Sequence, residues 1–228
     1  MSDAWQPLEP ARAAAQLAAI RTLLAPPPRR ILDAGCGDGR LLAPLAADGH
    51  TMIGMDLDPA ALAACGAITD AHLVEGDYRD GLPEENLDAV LCCGHTFMLH
   101  ATRGEGTAVL ATFAAALREG GAVILDDFPR ELWAEVESGN WQTGISEDES
   151  WQMVWEDPLL VLRRGDAIDP DMDRIGPDDR PMRLWRLEEL AEAASEAGLS
   201  APAYQGGAPV LVMRALPACT IRPTADGR

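Results

Sequence analysis

The sequence predicts an α/β domain in which a mostly parallel sheet is covered by helices on both faces. Three observations carry that prediction. Short apolar strands alternate regularly with helical segments from Arg30 to Asp127. A glycine-rich turn joins the first strand to the helix after it, and the same rhythm returns between Leu187 and Ala215. Parallel strands need a crossover connection, and a helix supplies it, so the alternation implies a doubly wound sheet.

The elements follow in order. From Pro10 to Ala25 an alanine-rich run puts Leu17, Ile20, Leu23 and Leu24 on one helical face, and Pro26 to Pro28 end it. Ile31-Leu32 open a buried strand that runs into Gly35, and Leu41 to Ala47 read as helix. Thr51 to Asp56 form the second strand. Asp58-Pro59 pairs a helix N-cap with proline at the first helical position, starting a helix that reaches about Gly66. His72 to Val74 and Leu87 to Cys93 are the third and fourth strands. A helix from about Glu105 to Arg118 is expected to end on a left-handed cap at Gly120-Gly121, before a fifth strand from Ala122 to Asp126.

The pattern then breaks. Residues 129–181 read as an insertion: a short helix at Glu131 to Val136, a polar stretch, a β-hairpin of Trp151–Glu156 and Leu159–Arg164, and an acidic loop from 165 to 181. A helix from Leu187 to Ala197, a weak strand near Ala203 and a strand from Pro209 to Ala215 close the frame, leaving 217–228 as a loose tail. The whole chain, 1–228, reads as one domain.

Composition narrows the function. At 228 residues and 24.3 kDa the chain can bury a full core. Its net charge of −19 and pI of about 4.4 disfavour a nucleic-acid partner. All 18 basic residues are arginine, so neither a Schiff-base lysine nor a Walker lysine is present. Five scattered cysteines suit a reducing compartment without a zinc site. No signal peptide opens the sequence and no apolar run approaches the roughly 20 residues of a bilayer span. The expectation is a soluble cytoplasmic protein.

The chemistry gathers at Asp33-Ala34-Gly35-Cys36-Gly37-Asp38-Gly39, between strand and helix. Glycines there let the backbone turn and come close to a ligand, and the amide groups at the start of a helix favour an anionic group. A dinucleotide fingerprint would need glycine at position 40, where Arg40 stands. A second acid, Asp56, ends the next strand, where a ribose would present its hydroxyls.

Together these residues resemble the class I S-adenosylmethionine-dependent methyltransferases. Ile31 to Gly39 is similar to that family's first motif, and Gly54-Met55-Asp56-Leu57-Asp58 to its ribose-binding strand end. Glu75-Gly76-Asp77-Tyr78 resembles its adenine turn, and Leu87 to Val90 with Cys92-Cys93-Gly94 its fourth strand. Leu117 to Gly121 resembles the approach to its fifth strand, and Arg183 to Leu190 a later helix. The resemblance spans about Arg30 to Ala215 outside the insertion. It implies a seven-stranded, Rossmann-like fold and an S-adenosyl-L-methionine cofactor. Gly35, Cys36 and Gly37 would cradle the methionyl part and Asp33 would anchor its ammonium. Asp56 would hold the ribose, and Asp77 would accept from the adenine amino group between Tyr78 and Leu57. Cys93 and Gly94 would line the cofactor through backbone.

Methyl transfer needs alignment more than assistance, and a base only if the acceptor loses a proton. His95, after the fourth strand, is the first candidate base and His100 the second. A structural hydrogen bond or a plain substrate contact is the favoured reading of His95. Trp141 and Trp155 of the insertion, with Trp151 and Trp5, could enclose an apolar or cationic acceptor, or fill a small core of their own. The expected reaction is methylation of a small-molecule O, N or C acceptor, with no metal. A non-catalytic cofactor-binding scaffold or sensor is the alternative, and an NAD-type oxidoreductase is disfavoured by Arg40.

Overall fold

The computed structural model describes residues 9–67, 69, 71–126, 136, 138–139, 142–205 and 207–217. In chain order the elements are α1 (Pro10–Leu24), β1 (Arg30–Ala34), α2 (Leu42–Ala47), β2 (Thr51–Asp56), α3 (Pro59–Gly66), β3 (His72–Glu75) and β4 (Leu87–Cys92). These are followed by α4 (Arg103–Ala116), β5 (Leu117–Asp126), β6 (Gly144–Ile145), β7 (Trp151–Glu156), β8 (Leu159–Arg164) and β9 (Met182–Arg183). The chain then forms α5 (Leu187–Glu196), β10 (Ala203–Tyr204) and β11 (Val210–Arg214). The expected helix at Glu131 to Val136 and the tail from 218 lie almost wholly outside the described residues.

Seven strands form the main sheet in the order β10-β11-β5-β4-β1-β2-β3, and only β11 and β10 join it through antiparallel pairings. Successive side chains point to opposite faces, so the strands feed two cores. Ile31, Leu91 and Ile124 meet Ile20 and Leu24 of α1, Leu42 and Leu45 of α2, and Cys65 of α3. Leu32, Val90 and Leu125 meet Val109, Leu110 and Phe113 of α4 and Leu190 of α5 on the other face. This is the expected doubly wound, Rossmann-like arrangement.

β1 lies between β2 and β4, with Asp33 level with Gly54 on one side and Leu91 on the other. Crossovers therefore leave β1 in both directions, and a crevice opens at the carboxyl ends of the strands. Asp33, Asp56, Cys93 and Asp126 are all set at that edge.

Two boundaries differ from the sequence reading. α4 starts at Arg103, where Thr102 and Glu105 form a reciprocal capping box, and it ends at Ala116 with its C-cap residue Leu117 in extended conformation. No left-handed glycine cap closes it. Leu117 instead pairs with Leu87 and begins β5, with a bulge in the register before Ala122. The hairpin is the middle of a larger unit, since β6 and β9 extend β7 and β8 into a four-stranded antiparallel sheet. One face of the hairpin carries Gln152, Val154, Val161 and Arg163; the other carries Trp155, Leu160 and Leu162 against the α4–α5 core. Buried Arg163 binds Asp179 and the carbonyls of Met172 and Arg174, so the acidic loop is fastened to the second sheet at that end.

Candidate functional site

The glycine turn is fixed by its neighbours. Gly35 and Cys36 donate their N–H groups to the Met55 carbonyl at 2.8 and 3.1 Å, tying the turn to β2. Gly35 has φ +75°, and a Cβ there would stand 2.6 Å from Cγ2 of Thr96. The turn after β1 and the turn after β4 are thus in contact, a closeness that only glycine permits. Gly37 has φ +55°, but a Cβ on it would meet nothing within 4 Å. One side of the turn is packed and the other is an open cradle.

Asp56 closes the lower rim of that cradle. Its carboxylate accepts from Gly37 N–H at 2.8 Å and from Asp58 N–H at 2.9 Å, while Asp58 in turn caps α3 through Ala60 N–H. Both Asp56 oxygens are therefore oriented by backbone and retain lone pairs for another donor.

Asp33 is 3% exposed, and its carboxyl is pushed up to about 7. Burial is the main cause; Arg40 opposes it, while the charges of Asp56 and Asp126 reinforce it. No donor among the described residues reaches the Asp33 carboxylate. A buried carboxylate without a donor is costly, and here it stands beside an open glycine cradle. The residues present therefore fit a ligand that brings its own cationic donor, and further acid at Asp56 favours the same charge.

Asp77 starts a short 3₁₀ turn and holds the Arg79 guanidinium bidentately, at 2.5–2.9 Å, together with the Arg79 N–H. The Arg79 hydrogen bonds hold its carboxyl below the usual range. Leu57 is 60% exposed at the end of β2. Tyr78, expected to flank Asp77 at the adenine turn, follows it directly in the 3₁₀ turn. The ring is turned into the core, tilted against Phe113 with centroids 5.6 Å apart, and its hydroxyl meets Nε2 of His100 at 3.1 Å. His100 is itself buried, which lowers its pKa, so the second candidate base is a core hydrogen-bonding partner.

The turn after β4 runs through buried Cys93 and then Gly94 and His95, at φ +80° and +63°. A left-handed histidine is uncommon, and its anchor is plain: His95 N–H donates to Asp126 Oδ2 at the end of β5. Asp126 is 4% exposed and also accepts from Nε2 of Gln16 on α1, whose Oε1 takes Arg40 Nη2 at 2.6 Å. Sequence reasoning missed Asp126, Gln16 and the partner of Arg40. The signals were there: Asp126 is a third acid ending a strand, after Asp33 and Asp56, and Gln16 lies in line with Ile20 and Leu24 on the buried helical face. Cys36, Cys92 and Cys93 are buried free thiols whose pKa values burial raises, so none is poised as a nucleophile.

The structure thus brings together Asp33, Gly35, Cys36, Gly37, Asp56, Cys93, Gly94 and His95. Trp155 is half-buried at the rim of the α4–α5 core, and its backbone N–H donates to Thr143 Oγ1. Trp141 lies outside the described residues. A cavity of about 70 Å³ lined by Arg29, Asp88, Arg118 and Arg214 lies at the amino ends of the strands, away from all of these groups. Among the described residues no cluster of potential metal ligands occurs, and no helix is long and apolar enough to cross a membrane.

Comparison with known proteins agrees with this geometry. The profile of a protein family described as "Methyltransferase domain" matches residues 31–121. A cypemycin N-terminal methyltransferase from a Streptomyces species is 34% identical over 101 residues, 43% of this chain and 41% of that protein. A ubiquinone biosynthesis O-methyltransferase from Azorhizobium caulinodans is 45% identical over 60 residues, 26% of this chain and 24% of that protein. The chain thus matches less than half the length of either curated relative. Among solved structures, an S-adenosylmethionine-dependent methyltransferase from Clostridium acetobutylicum superposes with a TM-score of 0.66 at 14% identity, covering 90% of this chain and 92% of that one. An amino pentose methyltransferase from Micromonospora echinaspora, solved with S-adenosylmethionine bound, gives 0.62 at 21% identity, covering 94% and 92%. These similarities concern the fold.

Proposed function

We propose that the chain is a class I S-adenosylmethionine-dependent methyltransferase that transfers a methyl group from S-adenosylmethionine to a small-molecule acceptor; the methyltransferase-domain match over residues 31–121 and the shared fold support this reading. The observation that carries the reading is buried Asp33, to which no described residue donates, beside the open side of the Gly35–Gly37 turn. When bound, the cofactor supplies a methyl group already activated by its sulfonium. The protein's part is to hold and orient. Asp33 receives the ammonium, and the glycine turn takes the methionyl chain against its backbone. Asp56, already oriented by Gly37 and Asp58, receives the ribose hydroxyls. Asp77 accepts from the adenine amino group with Leu57 alongside, and the Tyr78 ring supports that turn from below. Cys93 and Gly94 line the cofactor through backbone.

His95 follows directly and is assigned to the acceptor side. No described residue bonds its imidazole, so no orienting partner of the kind that activates a general base is in place. Its ring serves as a substrate contact that can take a proton when an acidic acceptor loses one. Trp155, and Trp141 from the same insertion, are assigned to the outer wall of the acceptor site. A small acceptor fits the names of two of these proteins, an amino pentose methyltransferase and a ubiquinone biosynthesis O-methyltransferase, and the −19 net charge weighs against nucleic acid. Four buried free thiols fit a reducing, cytoplasmic setting.

Two measurements test this. Incubation with labelled cofactor and a panel of small amines, phenols and carboxylates should yield a methylated product and S-adenosylhomocysteine. Tight binding with no turnover on any acceptor class would favour the scaffold or sensor reading. Asp56→Ala should weaken cofactor binding about tenfold or more, the worth of hydrogen bonds to a charged acceptor; unchanged affinity would remove the ribose assignment.

A further inference from the structure

Resting on the reading of the crevice as a cofactor site, we propose that Gln16 is a positioning residue, the latch by which α1 closes over the crevice and couples its cofactor side to its acceptor side. Gln16 is the one polar residue among the buried side chains of α1, the others being Ile20 and Leu24 further along. Four of the six helical residues before Gln16 are exposed, and the Gln16 amide ties this end of α1 to the body.

Both ends of the amide are used. Oε1 accepts from Arg40, in the segment that leaves the glycine turn, and the charge of Arg40 acts directly on Asp33. Nε2 donates to Asp126 Oδ1 and reaches the Pro209 carbonyl at 3.4 Å, just before β11. The other oxygen of Asp126 holds the N–H of left-handed His95, and Thr96 next to it rests on Gly35. Hydrogen bonds and packing join Arg40, Gln16, Asp126, His95, Thr96 and Gly35 in one chain, and the charge of Arg40 reaches Asp33 through space without a hydrogen bond. A ligand that engages Asp33 therefore acts on the charge that Gln16 holds, and Gln16 sets the acid that fixes the acceptor-side turn. Closing α1 and setting His95 become one event.

The chemistry of the amide gives a discriminating test. Gln16→Glu keeps the Arg40 partner but sets a carboxylate against Asp126, opening the latch. Adding Asp126→Asn reverses the bond: the asparagine Nδ2 donates to the carboxylate introduced on α1, and its Oδ1 still accepts from His95. With S-adenosylhomocysteine as probe, Gln16→Glu should raise the dissociation rate on the order of tenfold, within the usual range of coupling between sites. Amide exchange over residues 11–16 of the bound protein should accelerate with it. The double variant should return both readouts to within a factor of about two of the parent. A Gln16→Glu protein with a lower melting temperature but an unchanged dissociation rate would overturn the latch, leaving a structural staple. So would a double variant that dissociates as fast as the single one. Failure of the parent to bind the probe is a separate outcome that removes the functional reading itself, and the coupling with it.

Discussion

Asp33→Asn is expected to cost the protein about a hundredfold in S-adenosylmethionine affinity and at the same time to relieve the unliganded fold. The first effect follows from removing one partner of a desolvated ion pair, worth about 3 kcal/mol. The second follows from linkage. An aspartate in the unfolded chain titrates near 3.9, whereas buried Asp33 titrates at about 7. Between those two values the folded state retains a proton that the unfolded state has lost. Stability therefore falls as pH rises through this window and levels off above it, a loss on the order of 4 kcal/mol for the empty site. Asparagine has no proton to lose. About two-thirds of that loss falls between pH 5 and pH 8, so the drop in melting temperature across this interval should shrink by roughly 8 °C in the variant, measurable by scanning calorimetry. Equal drops in the two proteins would show that Asp33 is not the stressed group. For binding the sign reverses: an ammonium needs the carboxylate, so affinity should rise with pH up to about 7 and then level off.

Gly35→Ala should be the most damaging substitution in the turn. It carries two penalties, a left-handed backbone and a Cβ 2.6 Å from Thr96 Cγ2. Together these are worth about 3 kcal/mol, or roughly a 9 °C fall in melting temperature. Shortening the neighbour with Thr96→Ala should recover the contact part and leave the backbone part. Gly37→Ala is the informative contrast, since its Cβ meets nothing within 4 Å. Only the backbone cost of about 1 kcal/mol applies to the fold, yet the new methyl occupies the cradle, so cofactor affinity should fall far more than stability does. Equal stability losses in the two variants would contradict the packing argument.

Much of this was legible in the sequence because it rests on local rules. Asp58-Pro59 announces α3, and the spacing of Gly35, Gly37 and Gly39 after an apolar strand announces a turn that must come close to something. What escaped is what depends on distant partners. Gly120-Gly121 has the chemistry of a helix cap, but pairing with Leu87 draws Leu117 into β5 and ends α4 earlier. β6 and β9 are two residues each, too short to show a period. Tyr78 could have faced either way from its turn; Phe113 and His100, remote in sequence, draw it inward. Gln16 is 110 residues from Asp126, and only the fold brings them together.

The central claim is that the edge formed by Asp33, Gly35, Gly37 and Asp56 is a seat for S-adenosylmethionine. Isothermal titration of the folded protein at pH 8 tests it most directly. The account predicts a saturable micromolar isotherm that S-adenosylhomocysteine displaces competitively; a flat titration, or heat that S-adenosylhomocysteine does not displace, would contradict it.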